Sequence, residues 1–226
     1  MSLESLILKK GEVSFLWFNS YSGVAIKTPS KTLVVDPVDV DPNFKTVDTI
    51  LITHDHYDHL DESIVRDIHK RTQCLVIADT TSARRLRGVV ASDKLWEARV
   101  GSEFKIDNVF VRAEGCKHPA ATPVTFHITS EDGIKIYHTA DSLPFPEMKR
   151  IGERSPPDIV FSTVGAPAPG ASPRTGAEIV KMVQPKVAIP YHAPVADATR
   201  FAEILSRETP KVRCMVIERG KPYKYP

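Results

Sequence analysis

The chain is poor in cysteine, and its three cysteines form no pattern. Cys74, Cys116 and Cys214 lie far apart with no Cys-x-x-Cys pair. That argues against a disulfide framework and against a thiolate metal site, and it fits a reducing compartment. Cys74 and Cys214 sit in apolar runs and read as small core residues; Cys116 stands two residues before His118. Surplus charge is lacking too. With 30 basic and 28 acidic residues the formal charge is +2, so bulk electrostatics makes no case for a nucleic-acid or membrane partner. No apolar run approaches the length that spans a bilayer, and the first ten residues hold too short a run for a secretory signal. The expectation is a cytoplasmic protein without a membrane span, acting on a small molecule. No linker, repeat or low-complexity stretch divides the 226 residues, and the length suits one domain over 1–226 with a sizeable core. A content of 42% hydrophobic and 26% charged residues excludes disorder as the default.

What the chain does have is a succession of short β-type runs. Val13–Phe18, Ser22–Thr28 and Thr32–Val35 are β-branched or aromatic and separated by turn chemistry. Asp36-Pro37 reads as the end of the third strand. Residues 47–52 form a fourth, followed by a helix near 61–71, a strand at Cys74–Ala78 and a helix at Thr80–Arg87. Strands return at Phe104–Ile106, Val109–Ala113, Val124–Ile128 and Ile134–His138, then at Asp158–Val164. Helices near 175–184 and 195–207 flank a strand at Val187–Pro190, and Val212–Ile217 reads as the last strand. The Pro- and Ala-rich segment 165–173 reads as a surface loop. The pattern predicts an α/β fold in which two sheets pack face to face with helices outside.

The densest chemistry is at Thr53-His54-Asp55-His56-Tyr57-Asp58-His59-Leu60-Asp61. Between His54 and His59 stand three imidazoles and two carboxylates, delivered to a loop by a buried strand and anchored by a helix. Crowded histidines are costly to hold together unless a cation offsets them. Neutral imidazole and carboxylate are ligands of choice for zinc and other divalent first-row metals. Three further residues follow predicted strands: His118 after Ala113, Asp141 after His138 and His192 after Pro190. Each alone reads as a common surface or cap residue. Strand ends at one rim, however, converge on one cleft.

With these residues in hand, the chain resembles the metallo-β-lactamase-fold hydrolase superfamily. It carries His-x-His-x-Asp-His as His54-Asp55-His56-Tyr57-Asp58-His59, with His118, Asp141 and His192 in the family's order. The wording of residues 56–61 is most similar to the branch containing N-acyl-phosphatidylethanolamine phospholipase D and L-ascorbate-phosphate lactonase. The resemblance implies a four-layer αββα sandwich. It implies a first metal on His54, His56 and His118, a second on Asp58, His59 and His192, and Asp141 bridging both. Two divalent ions are implied, zinc first, with manganese or iron as alternatives. The pattern departs in three places. Phe18-Asn19-Ser20-Tyr21 stands where relatives often read Gly-His, Ala140 precedes Asp141 where Gly is usual, and Ala193-Pro194 follows His192.

A pair of metals about 3.5–4 Å apart lowers the pKa of a shared water from about 15.7 toward about 7. The implied activity is hydrolysis of a small ester, lactone or phosphodiester by a metal-bridging hydroxide. Asp58 and Asp141 are the catalytic carboxylates, and the leaving-group proton comes from metal-bound water, Tyr57 or Tyr191. Rival readings are a mononuclear iron oxygenase acting on a thiol or persulfide and a non-catalytic metal- or metabolite-binding sensor. Among other residues, His69 reads as a surface histidine of its helix, and His127 and His138 as packed strand histidines, with His138 a candidate support for the site. Arg84, Arg85 and Arg87 read as a solvated helix face, and Arg174 as a candidate anchor for a substrate anion.

Overall fold

The computed structural model describes residues 3–41 and 43–226. Two mixed seven-stranded sheets carry the architecture. The first is built from β1 (Val13–Trp17), β2 (Val24–Lys27), β3 (Thr32–Val35), β4 (Thr49–Ile52), β5 (Leu75–Asp79) and β6 (Leu95–Ala98) in that spatial order. The second runs from β7 (Glu103–Ile106) through β8 (Val109–Gly115), β9 (Val124–Thr129), β10 (Lys135–His138), β11 (Ile159–Thr163) and β12 (Val187–Tyr191) to β13 (Arg213–Cys214). A C-terminal strand, β14 (Pro222–Tyr225), returns to the first sheet and pairs antiparallel with β1. In each sheet the half nearer its chain start is antiparallel and the half from β3 or β10 onward is parallel.

Side-chain alternation decides which face meets which layer. In β3, Leu33 and Val35 point between the sheets and Val34 points out; in β4, Leu51 points in while Ile50 and Ile52 point out. Leu33, Leu51 and Phe15 thus meet Val111, Phe126, Ile136 and Phe161 from the second sheet, with Phe15 and Phe161 edge to face at 5.4 Å. The outer face of the first sheet is covered by α1 (Glu62–Thr72) and α2 (Thr80–Arg85). The outer face of the second is covered by α3 (Met148–Arg154), α4 (Pro173–Val183) and α5 (Val195–Glu208). This is the αββα order expected. The parallel strands β3, β4, β11 and β12 are buried along their whole length, as strands covered on both faces are.

Helix ends follow local chemistry. Asp61 caps α1 by accepting from Ser63 N and Ile64 N, and Gln73 closes it in the left-handed region. Ser172 and Thr175 form a capping box for α4, with Pro173 as its first residue.

Some expectations needed correction. The last strand predicted at 212–217 shortens to Arg213–Cys214, because Met215 onward turns away toward β14. β6, α3 and β14 were not anticipated. β6 is only four residues long, Leu-Trp-Glu-Ala, and β14 opens on a proline, tolerated at the start of an edge strand. α2 ends at Arg85, two residues earlier than expected. His69 is not a surface residue. It is 5% exposed, its Nδ1 donates to Cys74 O at 2.9 Å, and its Nε2 accepts from Ala91 N at 3.3 Å. His127 is packed as expected and donates from Nε2 to Ser155 O at 3.0 Å.

Candidate metal centre

The seven residues singled out from the sequence lie at one rim of the sandwich, where the parallel strands of both sheets end. β4 delivers the loop from His54 to His59, β8 precedes His118, β10 precedes Asp141 and β12 precedes His192. They form two adjoining groups. His54, His56 and His118 make one; Asp58, His59, Asp141 and His192 make the other, and the ligand atoms within each lie within 4.8 Å of one another. His118 Nε2 stands 3.0 Å from His56 Nδ1. Asp141 Oδ2 lies 3.3 Å from His59 Nε2 and 3.9 Å from His118 Nε2, and its Oδ1 lies 3.2 Å from His192 Nε2. Asp141 therefore sits between the groups. Asp58 Oδ2 stands 3.8 Å from His59 Nε2 and 3.7 Å from His192 Nε2.

The backbone is bent to make this convergence. Asp36, Ala140 and His192 all have positive φ, at 46°, 47° and 55°. A residue with a side chain is uncommon there, and such conformations gather at functional sites. Ala140, the departure from the usual glycine, is thus in the region where glycine is easiest. Its carbonyl is held by the hydroxyls of Thr163 and Tyr191.

Beneath the cluster lies a support that sequence reasoning missed. Asp36, taken there only as a strand terminator, is fully buried. Its Oδ1 accepts from Thr53 N at 2.8 Å. Its Oδ2 accepts from the Ser22 hydroxyl at 2.9 Å, the Thr53 hydroxyl at 2.7 Å and His59 Nδ1 at 2.7 Å. A carboxylate only accepts, so His59 carries a proton on Nδ1 and turns Nε2 toward the cluster. The Thr53 hydroxyl spends its one proton on Asp36, so at 3.0 Å it accepts from His54 Nδ1. His54 Nε2 is then left bare toward the cluster. One carboxylate thus sets the tautomers of two histidines, one in each group. The only signal available was an Asp closing an apolar strand, which many loops share.

Other supports act at longer range. His138 Nε2 donates to Ser22 O at 2.8 Å and its Nδ1 accepts from Ala140 N at 3.3 Å. It ties the Ser22 turn to the backbone before Asp141, as its candidacy for support suggested. Asn19, buried at the first departure from the family pattern, accepts from Tyr21 N at 3.0 Å and Gly23 N at 2.9 Å and donates to Val38 O at 2.9 Å. It packs so closely that a Cβ on Gly23 would come within 2.4 Å of its Nδ2. Arg85 pairs with Glu62 and donates to Asp55 O at 2.8 Å, pinning the histidine loop from outside.

Two candidates fall away. Tyr191 is buried, its hydroxyl donates to Ala140 O at 3.1 Å, and burial raises its pKa well above the usual phenol value. Arg174 is engaged by Glu208 and Glu178 on the outer helices α4 and α5. Tyr57, by contrast, is 76% exposed at the rim. Its ring meets Tyr21, which meets His192, at 6.3 and 5.9 Å.

Protonation fits a cation at most of these positions. Burial drives His54, His118 and His192 toward the neutral form. Burial opposes the ionised form of Asp141, but His59, His192 and His54 outweigh it and hold the carboxyl well below its usual range. His59 differs: burial would lower it, yet Asp141 and Asp36 win and push it up to about 10. A metal binding there displaces that proton. The donor atoms themselves are the sharpest test of fit. Of the atoms turned to the cluster, His54 Nε2, His59 Nε2, Asp141 Oδ1 and His192 Nε2 are buried without a hydrogen-bond partner. Buried polar atoms are rarely left so, and a cation satisfies nitrogen and carboxylate oxygen alike.

Comparison with known proteins gives the family and the fold. The chain is 28% identical over 214 residues to a metal-dependent hydrolase from Staphylothermus marinus, covering 87% of this chain and 90% of the relative. A metallo hydrolase from the hyperthermophilic archaeon Ignicoccus hospitalis superposes with a TM-score of 0.80 at 21% identity, over 95% of this chain and 99% of that one. A metallo-beta-lactamase fold protein from Bacillus subtilis superposes with a TM-score of 0.75 at 13% identity, over 95% and 99%. No helix among the described residues is long and apolar enough to cross a membrane. Residues 15–192, from β1 to the last histidine of the cluster, match the beta-lactamase superfamily domain, and the chain belongs to that family, on the metallo-β-lactamase fold.

Proposed function

We propose that the protein is a dinuclear metal-dependent hydrolase of a small ester, lactone or phosphodiester. One observation carries the reading: two adjoining sets of buried donor atoms, several of them with no partner in the protein, share Asp141 between them. His54, His56 and His118 would hold one divalent ion and Asp58, His59 and His192 the other, with Asp141 reaching both. Nitrogen and oxygen donors without sulfur suit zinc, with manganese and iron as alternatives. When bound, such a pair makes water a nucleophile near neutral pH and offsets charge growing on the substrate oxygen.

The chain's own groups supply the rest. Asp36 keeps the Nδ1 protons of His59 and, through Thr53, of His54 directed away from the cluster. Asp58 accepts a proton of the attacking water and aims its oxygen. Of the two tyrosines that could protonate the departing oxygen, Tyr57 remains, being exposed where Tyr191 is buried. The reading is tested by metal analysis of the purified protein together with a screen of phosphodiesters, lactones and esters. Asp141→Ala is expected to lose the full complement of two ions and turnover together. Retained activity, or one ion per chain in the natural sequence with undiminished turnover, would overturn it.

A further inference from the structure

On the His192 side of the cluster lies a cavity of about 630 Å³, walled by Trp17, Tyr21, Pro167, Pro194, Val195 and Ile217. Its size is that of a small-molecule site. Tyr21 joins it to the cluster, because its ring both lines the cavity and meets His192 edge to face at 5.9 Å. Ala193 and Pro194, which follow His192 directly, form the next part of the wall. The wall is braced: Trp17 Nε1 donates to Tyr21 O at 2.7 Å, and Asn19 Oδ1 holds Tyr21 N.

Two features say what would occupy it. Val195 and Val216 line it while 78% and 47% exposed, so apolar surface is left in water that an apolar ligand would cover. The mouth carries two charged residues, Arg219 and Glu218, and of these only Glu218 has an ion-pair partner among the described residues. Arg219 donates to the Ser20 hydroxyl and pairs with no carboxylate among the described residues, whereas Glu218 beside it is matched by Lys221 at 2.5 Å.

We propose that this cavity binds the apolar arm of an amphiphilic anion, an acyl or aryl group that carries a second acid group resting against Arg219, and that its esterified end is the acyl side of the ester hydrolysed at the cluster. The last clause rests on the hydrolase reading above. In that reaction a water oxygen bonds to the acyl carbon and the acyl C–O bond breaks. The alcohol leaves with one hydrogen of the water, the other is released from the new acid as a proton, and nothing is oxidised or reduced.

The test has two arms on the metal-loaded full chain. In the first, the aryl anion 1-anilinonaphthalene-8-sulfonate is titrated and followed by fluorescence. Saturable binding is expected, weakened about tenfold or more by Ala198→Phe, which fills the cavity, and by Val216→Asp, which sets a charge at an exposed position of its mouth. Arg219→Gln is expected to weaken it several-fold and to flatten its salt dependence. Binding indifferent to both Ala198→Phe and Val216→Asp would overturn the cavity; indifference to Arg219→Gln would overturn the placement of the acid. In the second arm, kcat/KM for 4-nitrophenyl octanoate is expected to exceed that for the acetate by about tenfold or more, with the ratio falling toward one in both cavity variants. A ratio near one in the natural sequence would detach the cavity from the reaction while leaving hydrolysis intact. Probe binding that responds to the variants, with no ester turned over, would uphold the cavity and remove the hydrolase reading instead.

Discussion

Asp36→Asn isolates the buried carboxylate on which both halves of the centre lean. The change keeps the shape of a fully buried side chain and removes its charge. The amide oxygen can still accept from Thr53 N, but an NH2 group now stands where Oδ2 took donors at 2.9, 2.7 and 2.7 Å from Ser22, Thr53 and His59. An amide NH2 only donates. His59 must then accept at Nδ1 and carry its proton on Nε2, the atom 3.3 Å from Asp141 Oδ2. Thr53, released from Asp36, no longer fixes the tautomer of His54. Losing the outer partner of a ligating histidine lowers metal affinity by about 10–100-fold, and the group built on His59 is expected to fall furthest. Breaking a buried charged pair costs about 3 kcal/mol at the low end, or about 6–12 °C of melting temperature in a chain of this size. Competition against a chelating indicator reads affinity and stoichiometry; calorimetry of chelator-stripped protein reads stability. An Asp36→Asn protein that loads two ions with unaltered affinity would refute the reasoning.

Stability of the stripped protein should peak near pH 6.5. Below that value burial makes His54, His118, His127, His138 and His192 harder to protonate in the fold than in the unfolded chain, so stability falls as pH falls. Above it, the contribution of His59, whose pKa rises from 6.5 to about 10, is lost progressively up to that pH. Saturating zinc should abolish the alkaline fall, because the ion replaces the His59 proton; melting curves across pH with and without chelator check both limbs, and an unchanged alkaline limb would contradict the assignment. Ala140→Gly should stabilise by up to about 1 kcal/mol, since a side chain in the left-handed region costs about 1–2 kcal/mol and glycine's added freedom returns only part of that. Ala140→Val should instead melt well below the natural sequence, and a glycine variant that does the same would show that the φ of 47° carries no strain.

How far the sequence could be read depends on the range of the interaction. The strand-loop-helix around His54–His59 is local: an apolar run, a cap at Asp61 and donor residues at fixed spacing need no partner to be recognised. The alternation of Leu33-Val34-Val35 and Ile50-Leu51-Ile52 likewise announces two covered faces. β14 and β6 escaped because these edge strands are only four residues long and owe their form to a neighbour, not to their own composition. His69 was misjudged, and Arg174 left open between a substrate anchor and an ordinary surface residue, for a related reason. A histidine on a helix turns inward only when a carbonyl such as that of Cys74 awaits it, and an arginine beside a loop points away when Glu208 offers a charge.

By itself the amino-acid order determined the donor chemistry, the αββα layering and the strand ends from which the donors spring, because each is written in residue type and period. Only the tertiary structure decided which polar groups stand behind the donors and what opens beside them. Ser22, Asp36 and Thr53 meet because β2, β3 and β4 lie side by side with Val24 opposite Val35 and Val35 opposite Leu51. The cavity exists because the turn after β1, the loops after β11 and β12 and the segment before β14 close on one another. Such meetings depend on register and packing across tens of residues, and no local pattern in the chain encodes them.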